Sequence, residues 1–308
     1  MPNFDSTYTR QLALLVDVLP VVRTEAAFAL KGGTAINLFF RDLPRLSIDI
    51  DLTWLPLGER RDSLGGITSA LQRIGNVLGE NHGCEVRPRV TPDGVPTGLA
   101  INRRRVPIKI DVTPVSRGSV FPAEIRNLQP AVAERFGLIE SQTLGFADLF
   151  AGKMVAALDR QHPRDLFDVM HLLATEGITN ELWSVFLVYL TATGRPAAEL
   201  IAPNLLPLED RFAVEFAGMA DEAVDVRSLI RAREELIAEI HSRIDDNVRQ
   251  FLFSIEHESP EWERLALPDH VPQLPALRWK LLNLRKRLPK KRDADHRQLA
   301  EVLVRIDR

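Results

Sequence analysis

Three aspartates carry the most specific chemical signal in this chain. Asp49 and Asp51 stand two apart in Ile48-Asp49-Ile50-Asp51-Leu52, and Asp111 lies near the end of Ile108-Lys109-Ile110-Asp111-Val112. Both segments alternate apolar and polar residues, the period of a strand with one buried face. Asp49 and Asp51 therefore project side by side, and partial burial sharpens their repulsion. A divalent cation relieves it. Mg²⁺ takes one or two carboxylates and completes its shell with phosphate oxygens and water. If the two strands are neighbours, Asp111 joins the pair. Three acids can then hold two ions that brace the attacking and leaving oxygens of an in-line displacement. A solvated strand face would carry the same acids, so the strands alone leave both readings open.

Upstream, Gly32-Gly33-Thr34 joins a strand-like Phe28–Leu30 to a helix-like Ala35–Phe40. Glycines let a backbone approach an anion, and N–H groups at a helix start point at it. A plain tight turn would use the same residues. Neither a GxxxxGK[ST] loop nor a GxGxxG fingerprint is present. Thr34 suits an N-cap.

Further along, Lys153 falls inside an apolar helical stretch containing Phe146, Leu149, Phe150, Met154, Val155 and Leu158. A charge there needs an anionic partner: a phosphate, or Asp168 on the next segment, unless the side chain snorkels to water. Arg164, Asp165 and Asp168 follow. Asp165 complements a helix N-terminus, and Arg164 and Asp168 stand four apart and can pair. Asp168 is favoured as the acid meeting Lys153, but the sequence does not separate it from Asp165.

The elements that must position these groups can be read coarsely. Helical patterns cover residues 8–27, 35–40 and 62–80. Strand patterns cover 28–30, 48–52, 84–90, 98–106 and 108–115, with a turn at Pro92-Asp93-Gly94. From Phe146 the character changes. Helices are expected over 146–160, 164–175, much of 179–256 with a long charged stretch at 221–247, then 278–288 and 293–306. The expected organisation is α+β: a mixed-sheet domain over residues 1–145 and a mainly helical domain over 146–308.

Composition bounds the partners. Net charge is -3, so no global field draws nucleic acid and any such contact must be a local patch. Arg278–Arg292 is that patch: eight Lys or Arg and no acid, with Trp279 among them. It fits phosphate contact and base stacking on RNA. It equally fits a helix whose Trp279, Leu281, Leu282, Leu284 and Leu288 pack inward. Arg103-Arg104-Arg105 is expected to add to it. A single cysteine, Cys84, excludes an internal disulfide and a Cys-rich zinc site and fits a reducing cytoplasm. It reads as a small buried hydrophobe. The first residues carry no basic-then-apolar signal pattern, and no run of about 18 apolar residues is present. A cytoplasmic protein without a membrane contact is expected.

Taken together, LKGGTAINLFF…LPRLSIDIDL, the IKID strand and FADLFAGKMVAALDRQHPRDLFDVMHLL resemble the AbiEii/AbiGii-type toxins of the DNA polymerase β-like nucleotidyltransferase superfamily. The PALRWKLLN stretch is similar as well. The resemblance implies a polymerase β-like nucleotidyltransferase domain and transfer of NMP from an NTP with release of pyrophosphate. It implies that Gly32, Gly33 and Thr34 bind phosphates. Asp49, Asp51 and Asp111 would hold two Mg²⁺ ions, with Mn²⁺ as an alternative, and Asp111 would help deprotonate the acceptor. Lys153 would steady the triphosphate, with Arg164 and Asp165 or Asp168 completing the constellation. It further implies a toxin of a toxin–antitoxin or phage-defence system, opposed by a separately encoded antitoxin of winged-helix type. A tRNA 3′ end is the first acceptor it suggests. A protein hydroxyl, or binding of RNA or a partner without catalysis, are the alternatives.

Overall fold

A computed structural model describes residues 6–221 and 223–306. The chain forms two compact units: one runs to Gly145 and takes in Phe216–Val224, the other comprises Phe146–Glu215 and the chain from Asp225.

The first unit contains, in order, α1 (Ser6–Arg23), β1 (Phe28–Lys31), a short helix α2 (Gly32–Ala35) that widens into a π-turn over Ile36–Phe40, β2 (Asp49–Trp54), α3 (Arg60–His82), β3 (Glu85–Val90), β4 (Pro96–Arg103), β5 (Val106–Val112), β6 (Glu124–Asn127), α4 (Pro130–Phe136) and β7 (Glu140–Thr143). The strands form one mixed sheet in the order β3-β4-β5-β2-β1-β7-β6. β2 is antiparallel to β1 and parallel to β5, and β1 is parallel to β7. Alternation sorts the two faces as expected. Ile50, Leu52, Leu99, Ile101, Ile108, Ile110 and Val112 are buried, on the side where α1 packs on β5 and α3 on β3 and β4. Asp49, Asp51, Lys109 and Asp111 take the opposite face. Within α3, Ile67, Ala70, Leu71, Ile74 and Leu78 make the buried stripe. That stripe carries the helix through Gly65, Gly66 and Gly75 despite their low propensity. β6, α4 and β7 have no counterpart among the elements expected from the sequence.

The second unit is helical: α5 (Phe146–Asp159), α6 (Pro163–Ala174), α7 (Asn180–Ala192), α8 (Ala197–Ile201), α9 (Glu209–Glu215), α10 (Val226–Ser242), α11 (Asp246–Glu256), α12 (Pro275–Arg285) and α13 (Pro289–Ile306). α5 packs on both α6 and α7, and α10 packs on α6. Among the described residues of the charged stretch at 221–247, the long helix covers Val226–Ser242, and α11 begins at Asp246. The long helix starts where the Asp225 carboxylate accepts the Ser228 N–H at 2.7 Å. No helix among the described residues is long and apolar enough to cross a membrane.

Candidate active site

Strand register builds the site. One cross-strand row runs Arg89, Gly98, Asp111, Asp51, Lys31 over β3-β4-β5-β2-β1. The adjacent row on the same face runs Arg87, Ala100, Lys109, Asp49. Residues in register share a face, so Asp51 and Asp111 are direct neighbours and Asp49 lies one pleat away. The pairing of the two Asp-bearing strands, conditional in the sequence, is present.

The carboxylates are matched by cations. Arg89 Nη1 is hydrogen-bonded and ion-paired with Asp111 Oδ1. Lys109 Nζ lies 3.5 Å from Asp49 Oδ1. Lys31 faces Asp51 across the antiparallel pair, and its Nζ is 3.5 Å from Thr113 Oγ1. Burial pushes the Lys31 ammonium down from its ordinary range, and the charge of Asp51 opposes this. Among the described residues, no group of three or more His, Cys, Asp or Glu is arranged to hold a metal ion. The three acids share a face, and Asp111 and Asp49 each face a cation. As a donor set they are hard oxygens, the type that suits Mg²⁺ or Mn²⁺.

The Gly pair meets these acids. Lys31 is extended, and Gly32 opens α2 with φ +70°, a conformation that favours glycine. A Cβ on Gly32 would overlap Asp51 Oδ2, so the carboxylate would have to move aside. Arg45 and Ser47 lie close against Gly33. Thr34 does not cap the helix, which begins two residues earlier. Its buried hydroxyl donates to the Asp49 carbonyl at 2.5 Å and lies 3.0 Å from Ser47 Oγ, tying α2 to the start of β2. That bond commits the hydroxyl to the fold.

Sequence reasoning missed the loop that delivers Asp49. Arg45 is buried, its Nη1 donating to the Leu46 carbonyl at 2.8 Å. Segment 216–224 clamps the same loop. Leu46 N–H donates to Met219 O at 2.8 Å, Asp221 N–H donates to Pro44 O at 2.9 Å, and Arg45 bridges to Ala220. An arginine four residues before the first aspartate was the available signal.

In the second unit Lys153, Asp165 and Asp168 come together. Lys153 Nζ is 2.8 Å from Asp165 Oδ1 and 3.0 Å from Asp168 Oδ2, and all three residues are buried. The anionic partner required by the apolar surroundings is thus both acids rather than one. Arg160 adds bonds of 2.5 and 3.0 Å to the Asp165 carboxylate. Burial pushes that carboxyl up, but Lys153 and Arg160 outweigh it and hold it far below the usual range. Arg164 donates its backbone N–H to His162 Nδ1, the cap of α6, and His162 Nε2 lies 2.6 Å from Glu215 Oε2. The cap at His162 was not foreseen.

The basic tail is sorted differently from either expectation. Lys280 is buried, donating to the Thr193 and Arg195 carbonyls at 3.0 and 2.7 Å. Trp279, Leu282 and Leu288 are exposed, while Leu284 is buried. Arg285 and Arg292 pair with Glu258, and Arg287 pairs with Asp295. The Arg103-Arg104-Arg105 triplet lies at the β4–β5 turn, beyond the opposite end of β5 from Asp111. Six residues of strand separate Arg105 from Asp111, about 20 Å. Arg103 pairs with Asp17 of α1 at 2.6 Å. Both observations set the triplet apart from the acids. Cys84 is buried as expected.

The family model described as "Nucleotidyl transferase AbiEii toxin, Type IV TA system" matches residues 13–281. Among solved structures, the chain is similar to MenT4, nucleotidyltransferase toxin Rv2826c from Mycobacterium tuberculosis H37Rv. The TM-score is 0.62 at 14% identity, over 90% of this chain and 93% of that one. At that identity the likeness concerns the fold. No curated protein sequence matches significantly.

Proposed function

The chain belongs to the AbiEii nucleotidyltransferase toxin family of type IV toxin–antitoxin systems, and from that premise we propose that it transfers NMP from an NTP to the 3′ end of tRNA in a metal-dependent reaction, blocking translation. Family membership makes it a nucleotidyltransferase with an NTP substrate and an antitoxin partner. A role in phage defence belongs to the proposal. The observation that carries the site is the position of Asp51. It stands in register beside Asp111, and its carboxylate lies against Gly32. The adjacency of the glycine turn and the acids supports a shared site for phosphate and metal.

Asp49, Asp51 and Asp111 would hold Mg²⁺ or Mn²⁺, which when bound neutralises charge on the phosphates. The Gly32-Gly33 backbone binds phosphate oxygens. Asp111 accepts the proton of the acceptor hydroxyl. The hydroxyl oxygen forms a bond to the α-phosphorus, the α–β phosphoanhydride bond breaks, and pyrophosphate leaves. Positioning and electrostatics supply most of the rate in such transfers. Lys153, Asp165 and Asp168 act as the buried frame of α5 and α6. The exposed Trp279, with Arg278 beside it and Lys290 and Lys291 also exposed, supports an RNA acceptor.

The test is to incubate the protein with each α-labelled NTP in turn, Mg²⁺ and total tRNA. An Asp49→Ala/Asp51→Ala protein serves as control. Label on tRNA that disappears in the control is the expected result. Label on protein alone would transfer the reading to a protein hydroxyl. Equal labelling by the double variant would remove the acids from the reaction.

A further inference from the structure

The carboxylates of the candidate site are already engaged within the fold. Arg89 reaches Asp111 from the edge strand β3, and the residue between them in the row is Gly98. No side chain stands at that position. The backbone there enforces the choice: Gly98 has φ +142°, and a Cβ would overlap the Ile110 carbonyl. The neighbouring row repeats the pattern with small Ala100 beside Lys109, which pairs with Asp49. Lys31 closes the first row beside Asp51. The two rows thus hold three carboxylates and, with Arg87, four basic side chains, so these groups give the face no net negative formal charge.

This arrangement conflicts with a simple metal site. A carboxylate oxygen engaged by a guanidinium is not at the same time a good ligand, and a bare divalent ion entering here meets nearby positive charge. A metal–nucleotide complex brings compensating phosphate charge with it. We propose that Arg89 and Lys109 compete with divalent metal for Asp111 and Asp49, and transfer their charge to the nucleotide's phosphates when metal takes those carboxylates. Metal alone then binds weakly, and metal and nucleotide enter together. Arg89 and Lys109 become positioning residues for the triphosphate that the acidic motif by itself does not reveal. The inference rests on the nucleotidyltransferase reading of this site, and its test separates the two.

The full-length protein is titrated with Mn²⁺, with free ion followed by electron paramagnetic resonance. Titrations run with and without α,β-methylene analogues of the ribonucleoside triphosphates. The wild type should bind Mn²⁺ weakly alone and tightly with an analogue. Arg89→Gln should bind Mn²⁺ alone about tenfold more tightly, the effect of one unit charge removed near a divalent ion in a watery site, and should gain less from the analogue. Arg89→Lys should restore the wild-type coupling. Lys109→Gln repeats the test at Asp49 and stands in if Arg89→Gln does not fold. A folded Arg89→Gln or Lys109→Gln protein whose Mn²⁺ affinity without nucleotide is unchanged or lower overturns the inference and leaves the site reading intact. Mn²⁺ binding that Asp49→Ala/Asp51→Ala does not weaken, even with analogue, overturns both.

Discussion

At the scale of single residues, the strongest electrostatic commitment is the buried Lys153 with its two acids. An ammonium among apolar side chains is tolerable because Asp165 and Asp168 both reach it. Lys153→Met would leave the Asp168 carboxylate buried without this partner and Asp165 held by Arg160. Loss of about 3–5 kcal/mol of stability is expected, read by urea unfolding. The pH dependence has a definite sign. The folded Asp165 carboxyl is held below its unfolded value. Its stabilisation is complete above the unfolded pKa of about 4 and is lost as pH falls below it. Unfolding free energy measured from pH 7 downward should therefore drop below about pH 4 in the wild type. It should drop less in Asp165→Asn, and parallel curves for the two proteins would reject the assignment. At the candidate site, Gly32→Ala puts a Cβ both in a left-handed conformation and onto Asp51 Oδ2. The backbone cost is about 1–2 kcal/mol, so the protein should stay folded by circular dichroism. Displacement of Asp51 should reduce transferase activity at least tenfold.

At the scale of elements, legibility followed burial. β2 and β5 were readable because each has one face in the core, so Ile50, Leu52, Ile108 and Ile110 alternate with Asp and Lys. α5 and α6 were readable from their apolar residues and from Pro163 in the first turn. β6 was not, because it is a short strand whose residues are largely exposed, with no period to detect. Thr34 misled because a capping residue type sits two positions inside a helix that starts at a glycine with positive φ. The acids were visible but their cations were not. Arg89 is far from Asp111 in sequence, and only the strand order, with Gly98 between them, joins the two. Gly98→Ala tests that element directly. A Cβ there meets the Ile110 carbonyl, so β4 and β5 must separate or shift. A loss of about 3 kcal/mol in urea unfolding is expected, from backbone strain plus overpacking. An unaffected midpoint would mean the hairpin accommodates the side chain.

At the scale of the whole molecule, net charge decides how an RNA acceptor could be held. A chain of net charge -3 has no general attraction for a polyanion. Within the basic tail, Arg285, Arg287 and Arg292 are paired with Glu258 or Asp295, and Lys280 is buried on carbonyls. Lys280, Arg287 and Arg292 are committed to the fold, while Arg285 stays largely exposed at 3.8 Å from Glu258, so the richness of the sequence partly overstates the field. Lys290 and Lys291 are exposed at the start of α13, and Trp279 is exposed on α12. These side chains should separate two contributions to tRNA binding. Charge reversal at Lys290 and Lys291 should weaken binding most at low salt. It should also flatten the slope of log affinity against log salt by about one unit for each phosphate no longer neutralised. Trp279→Ala should cost about 1–3 kcal/mol with the slope unchanged, because base stacking releases no counterions. Filter binding of labelled tRNA across a salt series measures both. If neither variant moves affinity or slope, the tail is a structural segment only, and whatever holds the acceptor lies elsewhere on the chain.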